Sequence, residues 1–155
     1  EGYLYSIGLY HDLSRYTAHE LMAGQDIHTY DLTGDRTVAS YVRYTINHSF
    51  TRSLSGIASI QYSDENGRFF NGERTNLSGI LRYAFQNGNN SALAIRAAYE
   101  HRVGSYDGDR WLGRASYTRS LFSRAMAEVF FQYEESSQGT NFNEQMLGFT
   151  LREYF

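Results

Sequence analysis

The sequence predicts an all-β fold, an antiparallel up-and-down transmembrane β-barrel. Three observations predict it: apolar and polar residues alternate along nearly the whole chain, a hairpin-sized repeat lies over that alternation, and the last segment closes on an aromatic, Phe155. Composition agrees. Aromatics make up 16% of the 155 residues, with fourteen Tyr and ten Phe, while Pro and Cys are absent. Tyr, Phe, Val, Ile and Thr suit a pleated surface, and no proline interrupts a ladder. No stretch approaches the roughly 18 apolar residues that a membrane helix needs. The mean hydropathy of -0.53 is compatible with a membrane strand, which needs only alternate residues to be apolar.

Other classes recede on the same grounds. A net charge of -3 and a pI near 5.9 exclude the basic excess that a nucleic-acid partner requires. Without cysteine there are no disulfides, thiolate metal sites or thiol nucleophiles. No signal peptide is visible, and residue 1 falls inside a strand-like pattern. The chain is therefore read as mature or as cut from something longer.

Nine strands are expected, at roughly 2–13, 20–31, 36–50, 54–64, 74–86, 91–103, 110–121, 125–135 and 143–155. Gln25 interrupts the apolar face of the second. In the third, Val38, Val42, Tyr44, Ile46 and Phe50 oppose Tyr41, Arg43, Thr45 and Asn47. The fourth sets Leu54, Ala58, Ile60 and Tyr62 against Ser55, Ile57, Ser59 and Gln61. The fifth sets Leu77, Leu81, Tyr83 and Phe85 against Ser78, Ile80, Arg82 and Ala84. In the sixth, Leu93, Ile95, Ala97, Tyr99 and Val103 oppose Ala94, Arg96, Ala98, Glu100 and Arg102. The seventh separates Trp111, Ala115, Tyr117 and Leu121 from Arg114, Ser116, Thr118 and Ser120. The eighth separates Ala127, Val129, Phe131 and Tyr133 from Glu128, Phe130 and Gln132. The ninth sets Leu147, Phe149, Leu151 and Phe155 against Met146, Thr150, Arg152 and Tyr154.

The longer repeat shows in Gly34-Asp35-Arg36, Gly72-Glu73-Arg74 and Gly108-Asp109-Arg110, which recur 38 and 36 residues apart, each ahead of a strand. These glycines read as turn glycines; no helix follows them, so they do not form a phosphate cradle. Strands that follow the repeat end on Phe50, Phe85, Phe122 and Phe155, and returning strands end near Tyr30, Tyr62, Tyr99 and Tyr133. Two aromatic girdles follow, around an apolar band of about ten residues, near the 9–11 of a tilted membrane strand. Short links such as 51–53 and Ser123-Arg124 are expected at one end, with longer polar links such as 64–73 and 134–143 at the other. A soluble barrel or sandwich also alternates. The face opposite the apolar one, however, carries Arg43, Arg82, Arg96, Glu100, Arg102, Arg114, Glu128 and Arg152, which a dry core of modest size does not pair easily.

The final segment, Gly148-Phe149-Thr150-Leu151-Arg152-Glu153-Tyr154-Phe155, resembles the C-terminal assembly signal of bacterial outer-membrane β-barrels. The resemblance implies a bacterial outer-membrane location, contact with membrane lipid and lipopolysaccharide, and recognition by the barrel assembly machinery through Phe149, Leu151 and Phe155. Glu153 departs from the pattern, falling on the apolar register near one rim, where a charge costs less than at midplane. The chain also resembles, in texture, the repetitive hairpins of porin-like barrels associated with exopolysaccharide export.

Single-chain barrels of this kind usually have an even number of strands. Nine therefore imply the C-terminal part of a larger barrel; an eight-stranded barrel is the alternative if one N-terminal segment does not span. The expected pore lining is Arg43, Arg82, Arg96, Glu100, Arg102, Arg114, Glu128, Gln132 and Arg152. Asp12, Glu128, Glu134 and Glu144 supply acids from the first, eighth and ninth strands, while the arginines come mainly from the third to seventh. In a wide barrel this segregation favours passage of polar or anionic solutes; in a narrow one the same groups form a plug.

Catalytic and metal chemistry find less support. His11 and Asp12 are adjacent in a strand and point to opposite faces. His19, His28, His48 and His101 show no ligand spacing, and no nucleophile-elbow signature appears, so neither a metal, a cofactor nor an enzyme is expected. Asp64, Glu65, Asp107 and Asp109 are expected in loops as solvated charge. The competing readings are a passive or export channel, a lipid-modifying enzyme of the outer rim, and a structural or adhesive barrel.

Overall fold

The computed structural model describes residues 4–30, 35–67, 71–85, 90–104, 107–122, 125–138 and 141–153. Within them lie nine strands: β1 (Tyr5–Ser14), β2 (Thr17–Tyr30), β3 (Asp35–Ser49), β4 (Leu54–Asn66), β5 (Asn71–Phe85), β6 (Ser91–Gly104), β7 (Gly108–Phe122), β8 (Ala125–Ser136) and β9 (Phe142–Glu153). They form one antiparallel sheet in sequence order, and contacts join only neighbouring strands. β1 and β9 do not meet, so the sheet is open among the described residues.

Alternation survives in the pairing. Across β3, β4, β5, β6 and β7 one row runs Tyr44–Ile60–Leu77–Tyr99–Trp111, and the neighbouring row on the other face runs Arg43–Gln61–Asn76–Glu100–Arg110. Each strand thus gives one side chain in two to each face. The expected contrast between short turns and long loops is not found. β4 and β5 stay paired out to Asn66 and Asn71, with Asp64 opposite Glu73 and Glu65 opposite Gly72. β8 and β9 stay paired out to Ser136 and Phe142. Polar residues there remain in the ladder because each backbone N–H and C=O still gains a partner. The asymmetry lies instead in how far the strands project beyond the apolar band. We call this the loop end, and the end of the β1–β2, β3–β4, β5–β6 and β7–β8 links the turn end. Ser123 and Arg124 lie outside the described residues.

Glycines of the repeat have a different role from the one expected. Gly72 lies inside β5 and Gly108 opens β7, while Gly34 lies outside the described residues. A Cβ on Gly72 would stand 2.2 Å from the carbonyl oxygen of Val103, so the backbones of β5 and β6 approach there as only glycine allows. Its partner Gly104 has φ of +134°, a conformation rarely open to other residues.

The strands are also staggered. A row starting at Thr17, the first residue of β2, passes through His48, Gly56, Leu81, Ile95 and Ala115 to Phe131. β8 itself begins at Ala125, six residues from Phe131, after six strand steps. The loop end slips equally. The row through Tyr62, Thr75, His101 and Asp109 meets the backbone of Ser137, four residues from the girdle residue Tyr133 after four strand steps. One residue of slip per strand, with about 3.3 Å rise and 4.8 Å spacing, corresponds to strands tilted by about 35°.

Gly72→Ala should force β5 and β6 apart at Gly104 and cost about 1–3 kcal/mol in urea-induced unfolding. Gly79→Ala, whose Cβ would have 3.8 Å to its nearest atom, should stay within about 0.5 kcal/mol of the parent.

Candidate functional site

The two faces differ in chemistry and in exposure, in the opposite sense to a soluble protein. On the apolar face of the inner strands, Leu81, Ile95, Val129 and Phe131 are 47%, 54%, 48% and 47% exposed. On the polar face toward the loop end, Thr37, Ser63 and Glu65 are at most 1% exposed, and Glu100 and Ser136 are also buried. Splayed apolar side chains and crowded polar ones are the signature of a sheet curled toward its polar face.

All nine residues read from sequence as pore-lining fall on that crowded face by register. Arg43 opposes Met22 and Gln61, Arg82 opposes Ser55 and Ala94, and Arg96 opposes Ile80 and Arg114. Glu100 opposes Asn76 and Arg110, and Arg102 opposes Arg74. Gln132 opposes Arg114, Glu128 opposes Thr118, and Arg152 opposes Met126.

Four carboxylates on this face, Glu65, Glu100, Glu128 and Glu134, stand against arginines. Glu128 Oε1 accepts from Arg114 Nη2 at 2.8 Å, and the same guanidinium lies over the Phe130 ring at 3.9 Å. Glu134 Oε1 accepts from Arg110 Nε at 2.9 Å. Glu100 Oε1 accepts from Arg102 Nε at 2.8 Å and from Gln138 Nε2 at 3.1 Å, and Arg74 Nη1 stands 4.0 Å from its other oxygen. Arg74 Nη2 is also 2.9 Å from Glu65 Oε1, an ionic contact without hydrogen-bond alignment. Glu65 has Ala39 and Gly72 as its cross-strand neighbours, so small residues make the room it occupies.

Sequence reading missed Glu65, Arg74 and Arg110 as members of this network because it assigned Glu65 to a loop and put the two arginines at the first positions of their strands without giving them a face. The signal was present: Ser63 and Glu65, like Arg74 and Asn76, continue the period-2 register of their strands. Asp64 and Asp109 also lie in strands, β4 and β7, not in loops. Arg43, Arg82 and Arg96 have no carboxylate partner among the described residues. Arg43 Nη2 donates to Met22 Sδ at 3.2 Å, and its Nε is buried without a partner.

The apolar face ends at the loop side in an aromatic and acidic rim. Tyr99 and Trp111 have ring centroids 4.3 Å apart. Tyr99 donates to Asp109 Oδ1 at 2.7 Å, and Tyr133 donates to Glu135 Oε2 at 2.8 Å. His101 Nδ1 also contacts Asp109 Oδ1 at 2.7 Å. A cavity of about 480 Å³ opens beside Asp109, Trp111, Glu135 and Asn143. At the turn side, His11 and His19, without ligand spacing in sequence, stand opposite each other with Nδ1 and Nε2 3.3 Å apart. Among the described residues no group of three or more His, Cys, Asp or Glu side chains is arranged to hold a metal ion. The side chain of His28 lies outside the described residues.

Of the terminal segment, Phe149 and Leu151 stand on the apolar face opposite Val129 and Ala127. Tyr154 and Phe155 lie outside the described residues. Comparison with protein-family models, with curated proteins and with solved structures gives no match.

Arg74→Met should leave Glu65 buried beside no cation and destabilise the fold by about 3–5 kcal/mol in chemical denaturation. Arg96→Met, which breaks no ion pair, should change stability by less than about 0.5 kcal/mol.

Proposed function

We propose that this sheet is wall of a transmembrane β-barrel in the bacterial outer membrane, and that the barrel is a porin-like channel for polar or anionic solutes. The observation that carries the reading is the inverted exposure: Leu, Ile, Val and Phe crowd the open face while ionised side chains crowd the enclosed one. In water that arrangement forfeits the hydrophobic gain of about 25 cal/mol per Å². In lipid it is the required one, since hydrocarbon takes the apolar face and only backbone groups satisfied within the sheet can span.

Four further features support it. A tilt of about 35° lies within the range of membrane barrels. Leu54 to Tyr62 on β4 then spans about 20 Å or slightly more along the membrane normal, close to the apolar band of such barrels. Tyr62, Tyr99, Trp111 and Tyr133 stand where an aromatic belt meets headgroups and lipopolysaccharide. Phe149 and Leu151 have the alternation that the assembly machinery reads. Export of a polysaccharide is one form of the same channel activity.

A second reading, a lipid-modifying enzyme, is favoured by one row at the loop-end rim. Thr75, His101 and Asp109 stand side by side on β5, β6 and β7. The carboxylate engages His101 Nδ1, which is the orientation that leaves Nε2 for a substrate. Loss of phospholipid or lipid A turnover in His101→Ala would support that activity; unchanged conductance would keep the two apart.

In planar bilayers the full chain should give stepwise conductance. Insertion without current at any voltage would sink the channel. Leu81→Arg, on the apolar face, should cost about 2–4 kcal/mol of folding into bilayers if it lies near midplane, whereas Ser78→Arg on the opposite face should be tolerated.

A further inference from the structure

On the polar face, arginines rise in steps across three neighbouring strands. Arg82 stands three residues from the turn end of β5, Arg96 five from that of β6, and Arg114 eight from that of β7. With one residue of slip per strand and about 2.7 Å per residue along the normal of a tilted strand, Arg96 stands roughly 8 Å nearer the loop end than Arg82, and Arg114 roughly 3 Å nearer than Arg96. Arg96 and Arg114 are directly opposite, and Arg82 is diagonal to Arg96. Like charges so placed repel unless something anionic lies between them.

Among the described residues, that anion reaches only one of the three. Arg114 is drawn sideways by Glu128 and stacked on Phe130. Arg82 and Arg96 are both exposed, with no carboxylate partner among the described residues. Their cross-strand neighbours on this face include Ala94, Ile80 and Ser55, none of which carries negative charge. Nearer the loop end the charges are matched instead, with Glu65, Glu100 and Glu134 each against an arginine.

Resting on the channel reading, we propose that Arg96, with Arg82 and Arg114, forms a binding site for a compact, multiply charged oxyanion, such as free phosphate or the phosphate group of a larger solute. Guanidinium planes offer paired N–H donors that match oxyanion geometry, and the register sets Arg114 directly opposite Arg96 with Arg82 diagonal to it. Glu128 is a competitor for Arg114: it occupies the third guanidinium until the bound anion takes its place.

Inorganic phosphate is the probe, in two arms. Direct binding to the folded chain in detergent is read by ³¹P line broadening, which needs no current. Saturable broadening is expected, with affinity lowered about ten-fold or more by Arg96→Gln and lowered by Arg82→Gln. Glu128→Gln should raise affinity by freeing Arg114, the opposite sign. Arg15→Gln, in the β1–β2 link, should leave it unchanged. In planar bilayers, phosphate should block chloride current with the same order among variants, and the phosphate monoester glucose 6-phosphate should compete if the site takes a solute-borne group. Absence of saturable binding, equal binding by the parent and Arg96→Gln, or weaker binding by Glu128→Gln overturns the site. Saturable binding with that order of variants but no conductance upholds the site and removes the channel reading.

Discussion

Strand register is the constraint on which this structure depends. Side chains alternate with a period of two, so a slip of one residue in any pair would carry Arg96 or Glu100 to the open face and Ile95 or Tyr99 to the crowded one. Eight consecutive pairings hold the same sense of alternation from Tyr5 to Glu153. The irregularities in pairing fall beside Asp12 and Ser120, each next to a turn, where a bulge shifts no residue of the central band.

With register fixed, the charges follow. Arginine and glutamate meet because both occupy alternate positions on adjoining strands, as Arg114 and Glu128 do across β7 and β8. Such pairs are weak evidence for net stability, since each ion loses hydration on burial. Their effect is to make the crowded face self-consistent. Glu65 is the extreme case, buried with one arginine near it, and its position beside Ala39 and Gly72 shows that the backbone was shaped to admit it.

Much of this was legible in the sequence, and the reason is the periodicity itself. Nine segments, their faces and the nine charged or polar residues Arg43 to Arg152 follow from alternation and require no knowledge of partners. The loop-end boundaries were not legible, because Asp64, Glu65 and Gly72 look like turn composition while the ladder extends through them. Contacts between distant positions were hidden for another reason. His101 and Asp109 are eight residues apart and gain meaning only when β6 and β7 set them opposite. Gly72 similarly read as turn chemistry, when its use is a close approach to Val103.

The choice of cation carries the argument one step further. All fourteen basic residues are arginine; the chain contains no lysine. A crowded face weakens solvation, and there an ammonium gives up its proton far more readily than a guanidinium does. An arginine can also hold a carboxylate along one edge while its plane rests on an aromatic ring, as Arg114 does between Glu128 and Phe130. Lysine offers a point charge and no plane. A face whose cations must stay charged at every depth, some paired and some unpaired, therefore calls for arginine throughout. Arg15, in the β1–β2 link, and Arg119, opposite Ala127 on the apolar face, lie outside that demand, so it accounts for the arginines of the polar face and not for the composition of the whole chain.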